Sequence, residues 1–353
     1  MELRKFGKTD IKVYPVGFGA WQAGMHSWGS DYSENDIRSA VETAISSGVN
    51  FFDTAEGYGG GTSEKILGSL IKDKEVYIAT KVAGCNSSRI DKSIESSHRR
   101  LGRTIDLYQL HWVPSIYTSL KKTMRSLENS VKTGYARYIG LSNFPTQILK
   151  EAMEMLSREE IVSNQVQYSI LDRRIENSMV EFCRKNGIEI IAYSPMARGR
   201  LTGKYFDSKG PGDFARMFDS RKRKNLPDDL KSLLIKLSES HKCTVGQISL
   251  AWVIAKGAFP IPGAKNGKQA EQNSASADVL LTKEELSRID TVSSRYREGE
   301  YRSIVPRLIP NTLEAIFLTE LVIFVEVPEA LWTFEIEHQL WHYIESQLEL
   351  GIQ

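Results

Sequence analysis

Short runs of apolar residues recur along the chain, at 13–19, 50–54, 76–82, 106–112, 136–143, 161–169, 188–195 and 259–265. They are rich in Val, Ile, Tyr and Phe, and several are continuously apolar, as parallel strands buried on both faces should be. Segments with helical periodicity lie between them. The first, SENDIRSAVETAISSG, opens on an N-capping Ser33, has Asp36 three residues on and stops at Gly48. SEKILGSLIK, SRIDKSIESSHRRLG, SLKKTMRSLENSVKTG, PTQILKEAMEMLS and RIENSMVEFCRKNG follow, and Gly134 and Gly187 again stand where helices end. LPDDLKSLLIKLSESHK and TVGQISLAWVIAKG precede the eighth run. Eight strands alternating with helices predict an α/β fold with a parallel sheet. Closure into a (β/α)8 TIM barrel is the leading expectation, and a doubly wound open sheet is the alternative. No GxGxxG follows the first strand, which counts against the open-sheet nucleotide-binding unit. Before it, LRKFGKTDIKV reads as a hairpin that would plug the bottom of a barrel.

Two segments break the rhythm. Residues 198–226 are rich in Gly and basic residues, and long excursions of this kind are usually functional. After Arg307 the chain has no Lys or Arg, but repeated Glu and the apolar clusters IFL, LVIFV and LWTF. This shift divides the chain into a barrel over 1–300 and an extension over 301–353. The extension is expected to be helical and to bury its apolar faces on the barrel or on another copy, which would make a homo-oligomer.

Composition adds boundaries. With 353 residues, 41% apolar, 25% charged and a net charge of +2, the chain is an ordinary globular protein with no call for nucleic acid or an acidic membrane as partner. Cys85, Cys183 and Cys243 are odd in number and widely spaced, which supports neither a disulfide framework nor a CxxC site and suits a cytoplasmic setting. The N-terminal MELRKFGKTD lacks the apolar core of a secretory signal. The stretch 315–325 contains Glu320 and is shorter than the roughly 20 residues that span a bilayer. His338 and His342 lie four apart, but no further metal ligand is evident.

In barrel enzymes the chemistry sits at the C-terminal ends of strands. Asp53 ends the second strand, Lys81 the third and His111 the fourth, and Tyr58 lies in the loop after the second. Each has a bland reading: Asp53 as a loop cap, His111 as a core histidine, Tyr58 as a surface aromatic. Lys81 in an apolar strand is harder to dismiss, because buried Lys is rare unless paired. Together they suit a carbonyl that is gaining electrons. A Tyr hydroxyl has an unperturbed pKa of about 10, a nearby ammonium lowers it, and a His can polarise the carbonyl. None can supply a hydride, so a cofactor must.

The motifs DTAEGYG (53–59), TKV (80–82), LHW (110–112), GLSNF (140–144), NQVQYS (164–169), YSPMARGRLTGKY (193–205) and IPGAKN (261–266) resemble those of the aldo-keto reductase family, over about residues 1–295. The resemblance implies a catalytic tetrad of Asp53, Tyr58, Lys81 and His111, with Tyr58 as proton donor, Lys81 lowering its pKa and Asp53 holding Lys81. It implies that Ser142, Asn143 and Gln165 meet a nicotinamide carboxamide, with Tyr193 stacked on the ring. Ser194, Pro195, Met196, Leu201, Gly203 and Lys204 would follow the pyrophosphate. Gly263, Lys265, Gln269 and Asn273 would hold the adenosine end, and Gly19, Ala20 and Trp21 would lie near the nicotinamide. Trp112 and Trp28 are candidates for the substrate pocket, with His26 and Tyr32 nearby.

Lys265 and Lys268, with no acid between them, favour the 2′-phosphate of NADPH unless they are merely solvated, and leave NADH open. The leading expectation is therefore an enzyme that reduces a small-molecule aldehyde or ketone. Alternatives are a nicotinamide-binding module that serves a partner, as in the similar potassium-channel β subunits, and a lyase using Lys81 as a Schiff base.

Overall fold

The structure, a computed structural model, describes residues 2–24, 32–83, 87–114, 118–204, 206, 226–299 and 301. The readings of His26, Trp28, Cys85, His338, His342 and the extension beyond Tyr301 lie outside these residues, as does most of the excursion after the seventh run.

Two short strands, β1 (Arg4–Lys5) and β2 (Lys12–Val13), pair antiparallel as the expected hairpin. Eight more form one sheet of neighbours in sequence order: β3 (Phe18–Gly19), β4 (Phe51–Asp53), β5 (Tyr77–Val82), β6 (Ile105–Leu110), β7 (Ala136–Ser142), β8 (Ile161–Gln167), β9 (Glu189–Tyr193) and β10 (Phe259–Pro260). Every pair is parallel. The sheet curls until its edges meet: the Gly17 N–H donates to Pro260 O (2.9 Å) and the Gly19 N–H to Pro262 O (3.0 Å). That topology is consistent with a (β/α)8 barrel and leaves the open doubly wound order without support.

The first and last strands are shorter than the apolar runs suggested. Pro15, Pro260 and Pro262 have no N–H to give a ladder, so β3 and β10 keep two residues each. Helices fill the connections where their patterns lie. Ser33 and Asp36 form the full capping box on helix Glu34–Ser46. Gly48, Gly134 and Gly187 adopt the left-handed φ that ends a helix, at 93°, 78° and 63°. The helix expected over 174–187 is instead a 3-10 turn, Arg174–Asn177, and a helix, Met179–Lys185, broken at Ser178. The break lets the Asn177 amide reach the carbonyls of Arg297 and Gly299. A helix that the sequence reading left unassigned, Lys283–Val292, has a capping box of Thr282 and Glu285.

Apolar side chains pack in two places. A large core lies between sheet and helices. A smaller one fills the interior of the curled sheet with Phe6 and Ile11 from the hairpin and Phe51, Ala79, Leu107, Val162, Ile191 and Phe259 from the strands. Side chains two apart on a strand share a face. The interior residues therefore dictate which residues come next inside.

Candidate active site

Two positions further along, the interior turns polar: Phe51 leads to Asp53, Ala79 to Lys81, Leu107 to Gln109 and then His111, and Ile191 to Tyr193. Asp53 ends β4, Lys81 is the penultimate residue of the neighbouring β5, and Lys81 and Gln109 are cross-strand partners. The polar layer thus occupies the C-terminal mouth of the sheet.

Lys81 is fully buried, which in an apolar interior demands partners for all of its charge. Its ammonium donates to Asp53 Oδ1 (2.6 Å), to Thr54 O (2.7 Å) and to the Tyr58 hydroxyl (3.1 Å). An ammonium has three protons, and all three are placed. Tyr58 therefore accepts from Lys81, and its own proton must point elsewhere. Asp53 Oδ2 accepts from Gln165 Nε2 (2.8 Å) and Gln109 Nε2 (3.2 Å), so the carboxylate is held on both oxygens.

The loop carrying Tyr58 is pinned by close backbone approach. A side chain on Gly24 would collide with the Tyr58 carbonyl, and one on Gly59, whose φ is +59°, would collide with the Gly24 carbonyl. This contact sets the Tyr58 ring against Trp21, with centroids 5.0 Å apart. The His111 ring meets Tyr58 edge to face at 5.9 Å, and Trp112 stacks on His111 at 5.3 Å. His111 stands one residue beyond β6, fixed by its N–H to Val82 O (2.8 Å).

Charge follows from these surroundings. Burial, with Lys81 adding to it, holds His111 well below its usual pKa, so the imidazole is neutral at neutral pH. Burial opposes the charge on Lys81, but Asp53 and Tyr58 outweigh it and its pKa is raised. The expected lowering of the Tyr58 pKa by Lys81 is present but is not the largest effect. Lys81 does pull its pKa down, yet burial, joined by Asp53, pushes harder, and the phenol sits above its ordinary value.

Beside this cluster stand the residues expected to meet a nicotinamide. The Ser142 hydroxyl donates to Gln165 O (3.0 Å). Asn143, in a left-handed conformation at φ 62°, donates through Nδ2 to His111 O and to Ser142 Oγ, both at 3.1 Å. Its Oδ1 accepts from Tyr193 (2.9 Å) and from Tyr301 (3.1 Å). After β9 the chain turns sharply, with left-handed φ at Ser194 (50°), Ala197 (48°) and Arg198 (55°), a local strain common at ligand sites. Pro195 is buried, Met196 and Gly203 are partly so, and Lys204 is exposed. Leu201 offers no free group: its side chain is fully buried and its N–H bonds to Met196 O (3.2 Å), so it anchors the loop.

At the end of β10, Asn273 donates to Gly263 O (3.1 Å) and the Lys265 N–H to Gln269 Oε1 (2.9 Å). These bonds tie the strand exit to the helix Gly267–Ala275, capped by Asn266. The Lys265 ammonium lies 5.1 Å over the Tyr32 ring. The Gly19–Pro262 hydrogen bond brings this end beside Gly19, Ala20 and Trp21. Trp21 Nε1 and Gln22 Oε1 are buried with no hydrogen-bond partner among the described residues.

The structure thus gathers Asp53, Tyr58, Lys81 and His111, and beside them Ser142, Asn143, Gln165 and Tyr193, joined through the Gln165–Asp53 and Asn143–His111 hydrogen bonds. The sequence reading missed Gln109, Thr54 and Tyr301. Gln109 had a signal, being polar on the same strand face as His111. Among the described residues, no group of three His, Cys, Asp or Glu could hold a metal, and no helix is long and apolar enough to cross a membrane.

The sequence pattern of the Aldo/keto reductase family matches residues 15–294. The chloroplastic pyridoxal reductase of Arabidopsis thaliana is 34% identical over 308 residues, 79% of this chain and 83% of its own. The NADH-specific methylglyoxal reductase of Escherichia coli is 28% identical over 78% of this chain and 93% of its own. Among solved structures, an aldo-keto reductase from Klebsiella pneumoniae in complex with NADPH superposes with a TM-score of 0.69 at 27% identity, covering 86% of this chain and 99% of that one.

Proposed function

We propose, from the premise that the chain belongs to the aldo/keto reductase family, that it is an NADPH-dependent reductase of aldehydes or ketones with Tyr58 as proton donor. The curled sheet is read accordingly as a closed (β/α)8 barrel. The observation that carries the proposal is the placing of all three Lys81 protons, on Asp53, Thr54 and Tyr58.

The residues fit a nicotinamide cofactor. Gln165 and Asn143 offer amides beside Tyr193, and the buried polar atoms of Trp21 and Gln22 lack partners among the described residues. Ser142, Asn143 and Gln165 would hold the carboxamide and Tyr193 the ring. The loop from Ser194 to Lys204 would follow the pyrophosphate, and Gly263, Lys265, Gln269 and Asn273 the adenosine end. When bound, the cofactor supplies the hydride that the protein lacks.

The chain's own residues handle the proton. His111, kept neutral, hydrogen-bonds the substrate carbonyl oxygen and orients it. Tyr58 gives its phenolic proton to that oxygen as negative charge develops there. Lys81 then stabilises the phenolate through the hydrogen bond already formed, and Asp53 keeps Lys81 charged and in place. Solvent reprotonates Tyr58, and the same steps reversed oxidise an alcohol. Lys265 and Lys268 near the helix Gly267–Ala275 favour a 2′-phosphate and hence NADPH over NADH.

Loss of NADPH absorbance with a panel of aldehydes and ketones tests the activity, run in parallel with NADH. Tyr58→Phe should lower turnover by at least about 100-fold, the usual scale of a lost general acid, while NADPH binding persists. Full turnover in Tyr58→Phe would exclude it as donor. Tight NADPH binding with no turnover across the panel would favour the partner-binding module instead.

A further inference from the structure

The Asn143 amide is saturated. Its nitrogen has two bonds and its oxygen two, the latter from the phenols of Tyr193 and Tyr301. Tyr301 lies beyond residue 294, where the family match ends, and 158 residues from Asn143 in sequence. It is brought there by stitching between the loop after β8 and the chain after the helix Lys283–Val292. The Arg173 N–H donates to Tyr296 O (2.8 Å), and the Arg173 side chain donates to Asp290 O and Ser293 Oγ, both at 2.8 Å. Asn177 holds Arg297 O (2.9 Å) and Gly299 O (3.0 Å). Arg174 then lies 5.8 Å over the Tyr301 ring.

The direction of the contact is fixed. An amide oxygen can only accept, so the Tyr301 hydroxyl is the group that gives its proton to Asn143 Oδ1. Burial raises its pKa well above the ordinary value, so it stays a donor at any working pH. Two donors on Oδ1 and the His111 carbonyl on Nδ2 leave the Asn143 amide a single flip state, with the Nδ2 bond to Ser142 Oγ as the one that can be exchanged for a ligand. Gln165 is fixed the opposite way. Its nitrogen is spent on Asp53 (2.8 Å) and Gln109 (3.5 Å), which leaves Oε1 as the group to offer. One amide thus presents a donor and the other an acceptor, which matches the C=O and NH2 of a carboxamide.

We propose that Tyr301 is a positioning residue of the cofactor site: together with Tyr193 it locks the Asn143 oxygen, so that the Asn143 nitrogen is the group offered to a nicotinamide carboxamide. This rests on the cofactor reading above. Without the Tyr301 hydroxyl, the amide is held by Tyr193 on Oδ1 and the His111 carbonyl on Nδ2 alone, and each turn away from that orientation sets oxygen against the carboxamide oxygen.

The test titrates the full-length protein and its Tyr301→Phe variant with NADPH and with 2′,5′-ADP, which lacks the nicotinamide. Phe keeps the ring against Arg174, and an unchanged Tm confirms that the fold is intact. The expected result is an NADPH Kd raised about five- to tenfold, the scale of one hydrogen bond, with the 2′,5′-ADP Kd unchanged. Equal NADPH affinity in both proteins would overturn the inference. Tighter NADPH binding would overturn it too, by making Tyr301 a competitor for the carboxamide. Equal weakening of both ligands would reduce Tyr301 to a structural role. Failure of the unsubstituted protein to bind NADPH would sink the cofactor reading, and this inference with it.

Discussion

A single lysine organises the buried polar cluster at the residue scale. Because Lys81 is fully buried, its charge persists only through its three acceptors, and removing it alters each of them. Lys81→Met keeps the length of the stem but leaves Asp53 buried without its cation and Tyr58 under burial and Asp53 alone, both of which raise its pKa. Turnover with NADPH should fall by at least about 100-fold, and chemical denaturation should show a loss of about 3–5 kcal/mol from the stranded carboxylate. The pH profile follows from the signs. A proton donor works while protonated, so reduction should hold below the Tyr58 pKa and fall above it, and that pKa lies above the ordinary value of about 10. His111 is already neutral at neutral pH, because its pKa is depressed. The kcat/KM for reduction should therefore be flat between pH 6 and 9, and an inflection near 6.5 that His111→Gln removes would contradict this. The buried cluster was legible because Asp53, Lys81 and His111 each interrupted an apolar run near its end and Tyr58 followed in the next loop. The net rise of the Tyr58 pKa was not, because burial is a property of the packed neighbours and outweighs the one charge that the sequence makes visible.

Strands and helices show where local rules were enough and where contacts from afar overrode them. The capping boxes at Ser33 and Thr282 are local, and the helices begin where they say. The break at Ser178 is set by Asn177 reaching a segment about 120 residues away, which no window of sequence contains. A similar long-range cap leads into β8. The Glu128 carboxylate, on the helix Leu120–Lys132, accepts backbone N–H bonds from Ser157 (2.8 Å), Arg158 (2.7 Å) and Glu159 (3.1 Å), and the Ser157 hydroxyl joins them at 2.9 Å. These bonds overcome partial burial and hold its pKa down to about 2. A depressed carboxylate pKa gives stability that is fully present above the unfolded value and is lost as pH falls toward the folded one. Glu128→Gln should thus lower Tm at pH 7, and the gap should close as pH drops from about 4.5 toward 2. A gap independent of pH would show that the cap acts without its charge.

Over the whole molecule, the curled sheet is closed from below by one segment and bordered above by another. The hairpin inserts Phe6 between Phe51 and Phe259, with ring centroids 5.2 and 5.7 Å away, and Arg4 pairs with Glu189 at the start of β9. Phe51 is two residues before Asp53 on the same strand face, so the apolar floor and the polar mouth are two layers of one interior. The layers have different tasks, and a substitution should separate them. Phe6→Ala opens a cavity beneath the site and removes an aromatic partner from both strands, which should cost about 3–5 kcal/mol. The ionic and hydrogen-bonded layer above does not touch Phe6, so the folded fraction should bind NADPH with unchanged affinity. Urea unfolding and NADPH titration on one sample measure both quantities. A loss of affinity matching the loss of stability would mean that the floor sets the geometry of the mouth, because strands as short as β3, β4 and β10 would then be too weakly paired to hold Asp53 in place without the plug.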